Sequence, residues 1–582
     1  MTKPVVALVG IVLALTLIPI LEISLFLGSS WAGILPGFTD ELNFARVHSI
    51  GEGNITAGNA YFLEHSTGAP LVLFGGAWIN AVPLWMGIPF LPALYLNFVL
   101  WSLAFAALAY WFARELRAPP IVAFTGTILL YIQSYEHVWR PINLQPVYPF
   151  YFLFYGALLR FIRDQSRKNR ILLSLATGMT FYLFAYLWQI AVITLGLLFL
   201  YALAQKNWTL AKATFTTSCI GGAIGLPVPL YMLYLSHSSP YFWESVGRLG
   251  LVSTHIPMAE ILYSGGWIGL IIVFICVLFW RLPVLKKDAE SKILALFVLI
   301  SGLGLWIMQG SNLITGKQLE TGEHIRLLIA PWLLFATITC ALIAWRHRSE
   351  LTRALKVFSI TVLTVLTLVN IYLTYRYFLP FLPSESSRAH WVEQQAYAKP
   401  FTWLNEHEKE SVVVWSNPRD ALSSNLPIYT KHFTLYTYWG MLELVPEGEV
   451  RERYLISQYF DDPTVDVLKK ESEMAVYLGR HDYPHQAKTI EREVKVCRII
   501  YFWSNQKDCG TILSSQQLLG DTFFTSLETR FTDDIKPNIK AYLQKYHVSY
   551  ILKDKRIDAN YHPEELGATL VYSDAYYELY HL

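Results

Sequence analysis

Eleven predominantly apolar stretches recur along the first two thirds of the chain, and a sequence built this way is committed to a membrane before any other property is considered. They occupy residues 5–27, 90–112, 121–135, 147–159, 171–188, 189–203, 213–235, 261–280, 293–308, 327–345 and 357–378. A spanning helix needs about 20 mostly apolar residues. The first stretch meets that length behind a single Lys3 and lacks a small-residue cleavage site, so it reads as an uncleaved span. With 54% hydrophobic and only 15% charged residues, against roughly a quarter charged in soluble domains, no soluble fold could hide this surface. The formal net charge of +2 points to no nucleic-acid partner. The 19 Trp and 35 Tyr suit rings lining two membrane interfaces, although a large aromatic core has the same composition.

Lys and Arg accumulate in loops that stay cytoplasmic, and here they concentrate at residues 114–117, 160–170, 206–212, 281–292 and 346–356. These loops alternate with loops poor in Lys and Arg. The expectation is a cytoplasmic N-terminus in the plasma membrane, with the loop at 28–70 and everything after Pro380 outside. That arrangement requires an odd number of spans. The stretch 71–88 carries Gly75, Gly76, Asn80 and Pro83; reading it as re-entrant or interfacial leaves eleven spans, which satisfies the parity.

Past Leu382 the composition turns polar and charged. Residues 1–382 therefore read as a transmembrane domain and residues 383–582 as an extracytoplasmic domain of ordinary size. Strand-like runs at 411–415, 548–552 and 569–572 alternate with helix-like stretches at 399–408 and 536–546, which predicts an α/β domain. Cys219, Cys276 and Cys340 fall inside spans. Cys497 and Cys509 fall in the polar region, on the side where a disulfide persists, and the sequence leaves a bridge and two free thiols equally open.

Chemistry-grade signals are confined to the outward loops. Asp40 and Glu41 stand within about a dozen residues of the first span, at the depth of lipid phosphate groups. A carboxylate there can take a proton from an attacking hydroxyl or amine, or hold a divalent cation against a phosphate leaving group. The structural alternative is that Asp40 caps a loop helix and Glu41 is a solvated first-turn acid. Arg140 lies in the second outward loop beside Glu136 and His137, and the segment Trp139-Arg140-Pro141-Ile142-Asn143-Leu144-Gln145 leads into the next span. Lys317, Glu320, Glu323, His324 and Arg326 form a charged cluster before residues 327–345. Arg326 has the position of a lipid-phosphate ligand. Glu22, inside the first span, is either functional or solvated at its outer end.

An acidic pair directly after the first span, followed by a helix and a long outward loop, resembles the GT-C superfamily of membrane glycosyltransferases, in the manner of protein O-mannosyltransferases and aminoarabinose transferases. The resemblance implies a GT-C-like bundle of about eleven helices and an inverting transfer of sugar from a polyprenyl-phosphate donor to an extracytoplasmic acceptor. Asp40 maps onto the family's proposed base, with Glu41 as its neighbour. The family has an acid five residues after the loop arginine, where this chain has Gln145. Arg140 keeps the place of a phosphate clamp, and Gly322 to Pro331 is like the family's late Arg-to-Pro entry into a span. Metal-dependent relatives carry an acid-x-acid motif in a later outward loop, which is missing between the spans here. No cofactor is therefore expected, and a metal-independent route is favoured over a divalent cation. Donor, membrane lipids and acceptor are the expected partners, with Arg140, Arg326, His324, Glu136 and His137 as substrate contacts. Two other classes compete. A transporter or flippase would place ionisable residues at mid-span, and an O-antigen ligase would carry a large central outward loop.

Overall fold

The structure is a computed structural model and describes residues 3–35, 41–73, 75–135, 140, 145–256, 260–319, 324–378, 385–471, 482–502 and 508–582. Every expected span is helical. After α1 (Lys3–Leu27) come two short helices, α2 (Glu41–Gly51) and α3 (Gly75–Trp85). The bundle continues through α4 (Phe90–Glu115), α5 (Pro120–Gln133), α6 (Val147–Arg163), α7 (Arg167–Leu183), α8 (Ala185–Ala204), α9 (Trp208–Gly225) and α10 (Pro227–Ser238). Next are α11 (Phe242–Arg248), strand β1 (Leu251–Ser253), α12 (Glu260–Arg281), α13 (Ala289–Gln309) and strand β2 (Lys317–Leu319). The last two membrane helices are α14 (Ile325–Arg346) and α15 (Arg353–Phe378).

Among the described residues, six helices are each long and apolar enough to cross a membrane, and α9 with α10 supplies a seventh span bent by 49°. The chain is a multi-pass membrane protein. The bend interrupts the stretch at 213–235, because Pro227 has no amide hydrogen to continue the ladder and its ring clashes with the preceding turn. The stretch 171–188 ends earlier than its hydropathy suggests: Phe184 is extended, with φ −158 and ψ 131, and separates α7 from α8. The 11 residues of α3 rise only about 16 Å, half of a ~30 Å hydrocarbon layer, so 71–88 contributes no span. Instead α3 lies on α2, with the indole nitrogens of Trp78 and Trp85 donating to Ile55 O and Ile50 O at 3.0 and 3.1 Å.

Helix α6 is the axis of the bundle. Tyr148, Tyr151, Phe152, Phe154, Tyr155 and Phe161 are all buried along it, so much of the aromatic content is core and not interfacial belt. Phe105, Phe112, Phe297 and Phe335 from neighbouring helices meet these rings edge-on or stacked at centroid separations of 5.1 to 6.4 Å. Small residues set the spacing elsewhere. Gly221 of α9 sits so close to α7 that a Cβ there would lie 2.9 Å from Thr177 Cβ, the close approach that glycine permits between membrane helices.

The C-terminal part carries a five-stranded sheet in the order β4-β3-β5-β7-β6, with β3 (Val413–Trp415), β4 (Phe433–Thr434), β5 (Val548–Asp554), β6 (Thr569–Ser573) and β7 (Tyr577–His581). Strands β4, β3 and β5 run parallel, whereas β5–β7 and β6–β7 are antiparallel. Around the sheet pack α16 (Glu385–Gln395), α17 (Ala398–His407), α18 (Ala421–Tyr429) and α19 (Glu447–Ser457), while α20 (Asp482–Ile500) lies against the β1–β2 ribbon. The mixed α/β character expected from the pattern is present, with more helix than the strand-like runs imply. Cys497 and Cys509 are joined in a disulfide.

The two ends of the bundle differ in kind. At one end the basic loops are tied together: Arg160 and Arg163 pair with Glu115, Arg163 also reaches Glu290, and Asp288 takes His347 at 3.2 Å and Arg346 at 3.6 Å. At the other end the sheet domain sits on the loops poor in Lys and Arg. The segment before α2, α2 itself, α11 and the β1–β2 ribbon all touch it, through contacts such as Leu35 N to the Tyr429 hydroxyl at 2.8 Å and Arg492 to Gln318 at 2.9 Å.

Candidate active site

The acid pair opens α2, which begins at Glu41. Asp40 lies outside the described residues, as do the side chain of Glu41 and both Glu136 and His137. The rest of α2 is described and is held firmly. Its inner face buries Phe44, Val47 and Ile50, and α18 of the sheet domain covers it. His48 Nδ1 lies 3.2 Å from Pro427 O; burial pushes this imidazole below its ordinary value despite the opposing charge of Glu52. The helix that begins at Glu41 is thus clamped between bundle and sheet domain.

Four arginines lie in or beside the loops at this end, and the fold divides them. Arg46 is ion-paired with Glu443, and both side chains are within 5% of complete burial. Arg248, fully buried, spans from Glu447 at 2.9 Å to Met441 O at 2.8 Å and also reaches Val445 O. Both guanidinium groups therefore fasten the sheet domain. A third contact of this kind was not legible beforehand: Arg453 of α19 pairs with Glu64 and Glu449 and lies over the Phe62 ring at 4.4 Å. Glu449 also accepts from His65 at 2.9 Å. Burial alone would raise this carboxyl, but the His65 hydrogen bond and the Arg453 charge hold it below the usual carboxylate range. Glu22 is accounted for in the same way, pairing with Arg388 of α16 at 3.0 Å.

The other two arginines have different surroundings. Arg326 is exposed in the first turn of α14, and among the described residues it has no carboxylate partner. Arg140 is half-buried, and its carbonyl accepts from Gln145 N at 3.2 Å. The loops bearing them are drawn together because the start of α6 is bonded to the start of α14: the hydroxyls of Tyr148 and Tyr151 donate to Leu327 O and Leu328 O at 3.2 and 3.0 Å. His324, immediately before α14, stacks on Tyr186 and meets Phe184 edge-on, at 6.3 and 6.0 Å. Tyr186 in turn donates to Leu319 O at 2.9 Å. Arg140, His324 and Arg326 thus belong to one ring of loop ends. Lys317 points elsewhere, donating to Ser253 across the β1–β2 ribbon.

Gln145 is the residue the sequence undervalued. It is 1% exposed, yet among the described residues neither end of its carboxamide has a hydrogen-bond partner. An unsatisfied buried amide costs about 1–3 kcal/mol, and such groups in a native fold call for a ligand or water to complete them. Its only signal in the sequence was a polar side chain at the mouth of a span, where the resemblance led one to look for an acid.

No family model matches the chain, and no curated protein matches it. Among solved structures, ArnT from Cupriavidus metallidurans bound to undecaprenyl phosphate aligns over 98% of this chain and 97% of its own, at 11% identity and a TM-score of 0.46. The apo state of the same protein aligns over 72% and 84%, at 12% identity and a TM-score of 0.38. Likeness at this level does not assign a function.

Proposed function

We propose that the chain is a metal-independent, inverting glycosyltransferase that moves a sugar from a polyprenyl-phosphate donor to an acceptor at the face carrying the sheet domain. The observation that carries this reading is the division of the arginines: two are consumed in fastening the sheet domain, while Arg326 is left exposed in the ring of loop ends that also holds Arg140 and the unsatisfied Gln145 amide. An exposed guanidinium and a buried donor amide at a span mouth suit a lipid-linked phosphate, to which Arg presents paired donors. Asp40 takes the proton as the acceptor oxygen or nitrogen attacks the anomeric carbon. The bond from that carbon to the phosphate oxygen breaks, the configuration inverts, and the negative charge leaves on the lipid phosphate, opposite Arg140 and Arg326. Glu41, Glu136, His137 and His324 are the further candidate contacts for donor or acceptor.

The decisive experiment replaces Asp40 by Asn, which keeps size and most hydrogen bonding while removing basicity. Loss of about 10²- to 10⁴-fold in transfer is expected; near-normal turnover by a well-folded variant refutes the assignment. Arg140→Ala and Arg326→Ala should weaken apparent donor affinity with little change in acceptor dependence, and Lys should rescue only in part. Unchanged donor affinity in both variants leaves the arginines as anchors to lipid head groups.

A further inference from the structure

A long cavity of about 1170 Å³ opens on the flank of the bundle between α5, α14 and α15. It exceeds the roughly 300–1,000 Å³ of ordinary small-molecule pockets, and its walls are almost wholly apolar, with Val122, Leu129, Leu334, Ile338, Ile360 and Leu363 along its length. It exists because α5 is short and begins only at Pro120, while α15 extends for 26 residues and is mostly unburied. Toward the sheet-domain end α15 is pinned to α5, with Gln133 Nε2 donating to Asn370 O at 3.0 Å and to Thr374 Oγ1 at 2.9 Å.

The other end of the cavity is cationic. Arg348, from the turn between α14 and α15, and Lys356, one turn into α15, both line it. Among the described residues no Asp or Glu lines the cavity, and neither cation has a carboxylate partner. Arg348 is positioned by stacking over Trp345 at 4.3 Å and by donating to Trp345 O at 3.0 Å. Beside Lys356, the Ser359 hydroxyl is 3% exposed and has no hydrogen-bond partner among the described residues. Two unpaired cations and an unsatisfied hydroxyl at the head of an apolar trough are complementary to a phosphate carrying hydrocarbon chains.

We propose that this groove holds one anionic phospholipid, its phosphate at Arg348, Lys356 and Ser359 and its acyl chains along α5, α14 and α15. The cationic end lies beside the Arg346–Asp288–His347 cluster, at the end of the bundle opposite Arg140 and Arg326. A lipid seated here has its phosphate on the wrong face to serve as sugar donor, so the site is separate from the proposed active site and independent of it. Because α15 leads into the sheet domain, the lipid also holds that helix to the bundle.

Native mass spectrometry of the delipidated full-length protein, titrated with phosphatidylglycerol, phosphatidylcholine or a polyprenyl phosphate, tests the proposal. A single phosphatidylglycerol adduct is expected, with phosphatidylcholine binding more weakly. Affinity for phosphatidylglycerol should fall about tenfold or more in Arg348→Gln/Lys356→Gln. Leu363→Trp, which fills the trough and leaves the cations in place, should also remove the adduct. Equal binding of the two phospholipids, or an undiminished adduct in both variants, overturns the proposal. So does a polyprenyl phosphate that displaces phosphatidylglycerol from the same site.

Discussion

Arg46, Arg140, Arg248 and Arg326 are equivalent in a linear reading: each is a lone guanidinium near the end of an apolar stretch. Their roles diverge only through what comes to meet them. Glu443 and Glu447 lie about 400 and 200 residues downstream of Arg46 and Arg248, and a buried pair of this kind is costly to break because the partner charge is left unpaired. The sheet domain contains another pair of residues whose environment sets their chemistry. Burial pushes the carboxyls of Asp420 and Asp558 up to about 6 from 3.8, although Tyr397 and Asn417 bond to them. Folding therefore favours their protonated forms, and the stabilisation is complete below about 4 and lost as pH rises through about 6. His432, which burial holds down at about 4, acts in the opposite sense, so the quantity to measure is the difference between parent and variant. Between about pH 7 and pH 5 the parent should gain about 1 kcal/mol per acid relative to Asp420→Asn/Asp558→Asn. Parallel thermal-unfolding profiles across that range would show that these acids do not titrate as described.

At the scale of elements, the packing of α7 against α9 depends on which glycine faces which helix. A Cβ on Gly221 would meet Thr177 and one on Gly178 would lie 3.2 Å from Gly221 O, whereas one on Gly222 would meet nothing within 4 Å. The sequence shows two adjacent glycines and no reason to distinguish them. Gly221→Leu should lower stability by about 1–3 kcal/mol through overpacking, read as a drop in Tm of the detergent-solubilised protein, while Gly222→Leu should be close to neutral. Equal losses in the two variants would remove the close-packing account. Helix α6 teaches a related lesson. Its sequence carries Arg160 and Arg163 and many aromatics, a poor hydropathy profile for a span, yet it is buried along most of its length because its rings find ring partners on three neighbours, α4, α13 and α14.

For the molecule as a whole, the loops that the charge pattern sorted into two classes are gathered at opposite ends. The basic class is bound together by the Glu115, Asp288 and Glu290 carboxylates, and the other class is capped by the sheet domain. With eleven spans and α3 not crossing, the charge pattern leads one to expect the N-terminus and the sheet domain on opposite faces; among the described residues six helices and the bent α9–α10 pair are long and apolar enough to cross. We predict a cytoplasmic N-terminus and an extracytoplasmic sheet domain, the compartment in which the Cys497–Cys509 disulfide persists. Reporter fusions after Leu582 should be active only outside the cytoplasm. Activity inside it would place Asp40 and the tail together on the cytoplasmic face and reverse the donor argument.

The apolar periodicity and the positions of Lys and Arg were enough to give the helices, their alternation and the two-sided character, because hydrocarbon imposes the same rule on every segment regardless of its partners: backbone polar groups must be satisfied within the helix. The strand-like runs at 411–415, 548–552 and 569–572, which became β3, β5 and β6, were legible for a similar local reason, being short, apolar and β-branched or aromatic. What the tertiary structure alone decided was the fate of individual polar side chains. Whether Arg46 binds Glu443 or a ligand, whether Gln145 is exposed or buried without a partner, and whether Arg348 and Lys356 head an apolar groove all depend on contacts between residues far apart in the chain, and periodicity carries no information about which distant residue arrives.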